Sequence, residues 1–151
     1  MSPDLFELFP RGYRALGALE AALAESSVPA ATRELVKMRS SQINGCAYCL
    51  DMHDKDARAA GETEERLAML PAWRESQLYT DPERAALALT EAVTLISQAH
   101  VPAEVEAEAR RQYDDEAYAA LVFAIVTINA WNRLAITGHA EPGHHTPAAR
   151  G

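Results

Sequence analysis

Apolar residues along this chain recur at three- and four-residue spacing and almost never alternate. The pattern predicts helices and no strands. An apolar-acidic arm, residues 1–9, carries Phe6, Leu8 and Phe9 and is punctuated by Pro10 and Gly12. Leu16, Leu19 and Leu23 then mark a helix over 13–24. Leu35, Met38 and the aliphatic stem of Arg39 give the buried face of a second helix. It is expected to start at an N-cap Thr32, to hold Glu34 in its first turn and to close at Asn44-Gly45. A third helix runs from about Cys46 to Ala60, where Gly61 stops it. Thr63, Glu65 and Arg66 open a short fourth, and Pro71 to Gln77 is a turn carrying Trp73. Asp81-Pro82-Glu83 reads as an N-cap, a first-position proline and a first-turn acid. That helix extends to about Ser97 on Leu87, Leu89, Val93, Leu95 and Ile96. After Val101-Pro102 comes a polar helix over 104–113. Asp114 or Asp115 caps the last helix, 116–136, whose segment LVFAIVTINAW is apolar on nearly all sides. Such a helix is expected to be buried all round, by its own domain or by another subunit. Gly138 ends it, and the polar, Pro/Gly-rich tail 139–151 is expected to be mobile.

Composition narrows the class. The chain of 151 residues suits one domain, 1–151, with a core of its own. A net charge of −8 argues against a nucleic-acid partner, which needs clustered Lys and Arg. The start lacks the basic and apolar regions of a signal peptide. The longest apolar window, 117–128, is too short to span a bilayer, so no membrane partner is expected. A cytoplasmic location follows as the expectation. In a reducing cytosol, two cysteines three apart are redox-active or metal-binding rather than a structural staple.

Both cysteines of the protein, Cys46 and Cys49, lie in one stretch, ELVKMRSSQINGCAYCLDMH, residues 34–53. With a helix starting near Cys46, the side chains of Cys46, Cys49 and His53 fall on one stripe. Cys46 sits where free N–H groups and the helix dipole favour a thiolate. His53, one turn beyond Cys49, can exchange a proton with it, and Glu34 on the preceding helix can orient His53. Thiol, base and a group that positions the base make an activated nucleophile. One sulfur becomes a sulfenic acid and the other resolves it to a disulfide, which an external reductant resets. Zinc is the alternative, with Cys46, Cys49, His53 and Glu34 as candidate ligands. Structural zinc sites usually take ligand pairs from two separated segments, so redox chemistry is the leading reading and no cofactor is expected.

The spacing Glu34, Cys46, Cys49, His53, with Arg39, Ser41 and Asn44 around it, resembles the core motif of the AhpD-like alkylhydroperoxidases in the carboxymuconolactone decarboxylase superfamily. Glu83–Thr94 and Ile128–Leu134 resemble it too, so the likeness covers roughly 31–137, with the motif core at about 31–97. The resemblance implies an all-α, AhpD-like fold of about six to eight helices, with a helix–break–helix around the cysteines. It implies a trimer or hexamer, and a thiol-dependent peroxidase acting on hydrogen peroxide or organic hydroperoxides. Cys49 would attack, Cys46 resolve, and His53 and Glu34 relay the proton. A thiol or lipoyl-bearing protein would supply the electrons. The dipole alone favours Cys46 as the more acidic thiol; the resemblance favours Cys49 as the attacking one. Tyr48 stands where the founding type has a second histidine. That departure motivates the second reading, thiol–disulfide exchange or redox sensing without peroxide turnover. Decarboxylase members lack the cysteine pair, so decarboxylation is not expected here.

Overall fold

The helix at the centre of the molecule is Ala30–Asn44, and its neighbours decide where the cysteines sit. In the computed structural model, which describes residues 4–149, the order is α1 (Leu5–Leu8), α2 (Pro10–Ala24), α3 (Ala30–Asn44), α4 (Ala47–Ala59) and α5 (Glu64–Met69). A 3-10 segment, Leu70–Glu75, follows α5 directly. Then come α6 (Asp81–Thr94), α7 (Ala103–Gln112) and α8 (Asp115–Thr137). No strand occurs among the described residues. Helix α3 packs on α4, α6 and α8 together.

Two apolar clusters fill the interior. Val28 and Val36 meet Ala86 and Leu89 of α6, Ala109 of α7 and Leu121 and Ile125 of α8. On the other side, Leu35 and Met38 meet Ala57, Leu67, Leu70, Trp73 and Leu87. Leu121, Ile125 and Leu87 are wholly buried, each contributing about 1.5–3 kcal/mol of apolar transfer.

Helix ends correct several sequence expectations. Helix α2 opens at Pro10, three residues earlier than its leucine pattern suggests, because proline at the first position gives up an N–H that has no partner there anyway. Thr32 does not cap α3: that helix opens at Ala30 after Pro29, and Thr32 is buried in its first turn. Thr80, not Asp81, caps α6. Its hydroxyl accepts the Glu83 N–H at 3.3 Å and the Glu83 carboxylate accepts the Thr80 N–H at 2.9 Å, a reciprocal capping box. Helix α6 also stops at Thr94 rather than Ser97. Asp114 caps α8 by accepting the Ala117 N–H at 2.8 Å.

Helix α8 is 23 residues long and apolar enough in one window to pass for a bilayer span. Its Thr127 and Asn132 are buried among helices, which is the behaviour of a core helix. Within one chain it is not covered all round: Phe123, Val126 and Ile136 are exposed. A polar seam ties it to the end of α3. The Asn44 side-chain amide donates to Asn129 and Asn132, each at 2.9 Å, and Asn132 donates to the Ser41 hydroxyl at 2.9 Å. The residues just before the cysteines are thereby fixed against α8.

Candidate active site

Gly45 makes the break between α3 and α4. It adopts φ +68°, the left-handed region, which a side chain enters only at a cost of about 1 kcal/mol. The chain thus reverses at once, and Cys46 lands on the N-cap of α4 rather than inside it. The Cys46 sulfur accepts the Cys49 N–H at 3.3 Å, the role a serine hydroxyl takes at an ordinary N-cap. Cys46 and Cys49 are joined as a disulfide with their Cα atoms 5.3 Å apart. Both are buried, and the pair packs on Ala135 of α8, with Tyr48 and Ala140 alongside.

One turn beyond Cys49, buried His53 has its Nδ1 at 3.2 Å from Glu34 Oε2. The four residues singled out by the sequence pattern are thus brought together from two helices. Burial pushes the Glu34 carboxyl up, but the hydrogen bond and charge of His53 and the charge of Lys37 outweigh it and hold Glu34 below the usual carboxylate range. The chain of contacts continues. Lys37 Nζ lies 3.6 Å from Glu34 Oε1 and 3.2 Å from Glu20 Oε2 on α2. Glu20 Oε1 accepts the Trp131 indole N–H at 3.1 Å.

Cys49 and His53 line a cavity of about 350 Å³, with Lys37 and the rings of Tyr48, Phe6, Tyr13 and Trp131 on its walls. Cys46 lines a separate cleft of about 170 Å³ with Ala135, His139 and Ala140. The tail returns to α4. The Gly143 N–H donates to Asp51 at 2.9 Å, and His145 Nε2 lies 2.7 Å from Asp56 Oδ1. Among the described residues, no group of three or more His, Cys, Asp or Glu side chains is placed to hold a metal ion.

Glu20, Lys37, Phe6, Tyr13 and Trp131 were not singled out as site residues by the sequence pattern. Lys37 was within reach of it, because it stands three residues after Glu34 on the same helix face. Glu20 and Trp131 are 111 positions apart and meet only through packing of α2 on α8.

The sequence profile of the carboxymuconolactone decarboxylase family matches residues 8–92, more than half the chain. The chain belongs to this family. A relative within reach of it is YdfG of Bacillus subtilis, an uncharacterized protein, 47% identical over 131 residues that cover 87% of this chain and 89% of that one. Among solved structures, a protein of unknown function from Agrobacterium tumefaciens, proposed to be the antioxidant defence protein AhpD, superposes with a TM-score of 0.90. It is 34% identical and covers 95% of this chain and 99% of its own. The debrominase Bmp8 has a TM-score of 0.79 at 24% identity, over 92% of this chain and 75% of its own, and shares the fold. The chain thus has the AhpD-like, all-α architecture, and carries its Cys46–Cys49 pair within it.

Proposed function

We propose that the chain is a two-cysteine thiol peroxidase that reduces hydrogen peroxide or organic hydroperoxides. The observation that carries this is the shared cavity. The only cysteine lining it, Cys49, shares it with a histidine whose ring is held by Glu34 at 3.2 Å. In the reduced protein His53 takes the Cys49 proton, and the thiolate attacks the terminal oxygen of ROOH. The O–O bond breaks, ROH leaves with the proton held on His53, and Cys49 becomes a sulfenic acid. The Cys46 thiol then attacks the Cys49 sulfur, the S–S bond forms and water leaves. The structure has the pair in this oxidised form. A dithiol, free or on a lipoyl-bearing protein, exchanges with the disulfide, is itself oxidised, and restores both thiols.

The test of the roles is covalent trapping. Cys46→Ser with one equivalent of peroxide should carry a dimedone adduct on Cys49. An adduct on Cys46 in Cys49→Ser, with none on Cys49 in Cys46→Ser, reverses the assignment.

A second reading, thiol–disulfide exchange or redox sensing without peroxide turnover, is favoured by Tyr48, a phenol beside the cavity where a second acid–base group would shorten the relay. The fold also carries a debrominase, so the oxidant must be established on the protein itself. A cycling disulfide with negligible peroxide consumption would favour this second reading. Zinc or another metal in the purified protein, found by elemental analysis, would point instead to a metal-binding role.

We further propose a homo-oligomer, the trimer or hexamer implied by the sequence resemblance, in a cytoplasmic setting; the exposed Phe123, Val126 and Ile136 of α8 support the assembly. A single species near 16.5 kDa in sedimentation would rule that assembly out.

A further inference from the structure

The cavity at Cys49 has a chemical bias that the catalytic residues do not require. Three rings in mutual contact form part of its wall. The Phe6 and Tyr13 centroids are 5.0 Å apart, and each lies 5.8 Å from Trp131. They arrive from α1, α2 and α8, so three separate elements converge on one spot. Trp131 is anchored through its N–H to Glu20, which fixes its ring plane.

The polar part of the wall is acidic on balance. Of its basic groups, Lys37 is held between Glu20 of the lining at 3.2 Å and Glu34 behind the lining at 3.6 Å, and His53 is held by Glu34 at 3.2 Å, so neither is left free for a ligand. Asp56 adds a further carboxylate, with His145 beside it outside the lining. A carboxylate-bearing ligand meets more acid than base. A neutral ring meets aromatic faces and edges at ordinary stacking distance.

We propose that this cavity selects ligands carrying a neutral aromatic ring and rejects anionic ligands of the same shape. As a substrate preference, for aryl hydroperoxides, it rests on the peroxidase reading. As a binding preference it stands apart from it.

The test uses the full oxidised chain at pH 7, the neutral probe 2-phenylpropan-2-ol, the alcohol left by cumene hydroperoxide, and its para-carboxylate, with the neutral para-carboxamide, of the carboxylate's shape, separating charge from size. The readout is the indole N–H resonances of the two tryptophans, separated by a Trp131→Phe spectrum. The alcohol should shift the Trp131 resonance saturably, and the carboxylate should bind about tenfold more weakly. Equal affinity, no binding, or a shift confined to Trp73 overturns the proposal.

A kinetic arm compares thiol loss in the reduced protein with cumene hydroperoxide and its para-carboxylate. The neutral peroxide should be faster by about tenfold. Selective binding without thiol loss from either peroxide removes the peroxidase reading and supports the pocket preference. Rapid thiol loss from both at equal rates, with equal affinities, removes the preference alone.

Discussion

Two tryptophans in this molecule each donate an indole N–H to a glutamate, and the two pairs do opposite things. Trp73 donates to Glu91 at 2.9 Å, and Glu91 also accepts from Arg39 at 2.9 Å and from Arg74. The Trp73 ring is buried in the core, with Arg74 4.2 Å and Arg84 5.2 Å from its centroid. The indole N–H and both Glu91 carboxylate oxygens find their partners inside the cluster. Burial raises the Glu91 carboxyl, but Arg74, Trp73 and Arg39 outweigh it and hold it low. Trp131 donates to Glu20, which has one further partner, Lys37, while the half-buried ring lines a cavity beside the Cys49 sulfur. The same pairing builds a closed joint in one place and an open wall in the other. What separates them is how many donors converge and whether the ring is covered.

Changes on the open side should therefore act on chemistry, and changes at the closed joint on stability. The largest effect belongs to Cys49→Ser, which should abolish peroxide-dependent turnover in a coupled dithiol assay, where residual turnover above a few per cent would move the attack to Cys46. Next, His53→Gln should slow peroxide-dependent thiol loss by about 10²-fold, the usual weight of a positioned base.

At the closed joint, Glu91→Ala should cost about 2–3 kcal/mol in urea unfolding, because it strands a buried indole N–H and a guanidinium. Glu34 sharpens the contrast through pH. Its folded-state carboxyl lies below the ordinary 4.5. The stability it adds is therefore complete above that value and lost as pH falls through its lower folded value. Wild type should lose stability faster than Glu34→Gln below pH 4.5, and parallel acid limbs would contradict the pairing with His53. The smallest effect is Glu20→Ala, at most about 1 kcal/mol for a partly exposed pair. Equal losses for Glu20→Ala and Glu91→Ala would erase the difference between the two joints.

How much of this was legible in the sequence depends on range. Leucine spacing and the Asn44-Gly45 break located the helices around the cysteines, because those signals act within one or two turns. Cap residues were less legible. The sequence placed the α6 cap at Asp81; Thr80 takes it instead, because its reciprocal bond with Glu83 forms only in three dimensions. Apolarity made α8 look enclosed, yet one face carries Phe123 and Val126 into solvent, since periodicity does not say how many neighbours a helix has. At the site, the residues clustered in one stretch were readable. Glu20, Phe6, Tyr13 and Trp131 were not, because they reach the cavity through long-range packing.

The most direct test of the central claim is stopped-flow thiol titration of the reduced protein with peroxide. The Cys46/Cys49 account requires two thiols lost per peroxide, with a rate far above that of a free thiol and with saturation as the peroxide is raised. Slow, non-saturating, second-order loss at the rate of a free thiol would contradict it.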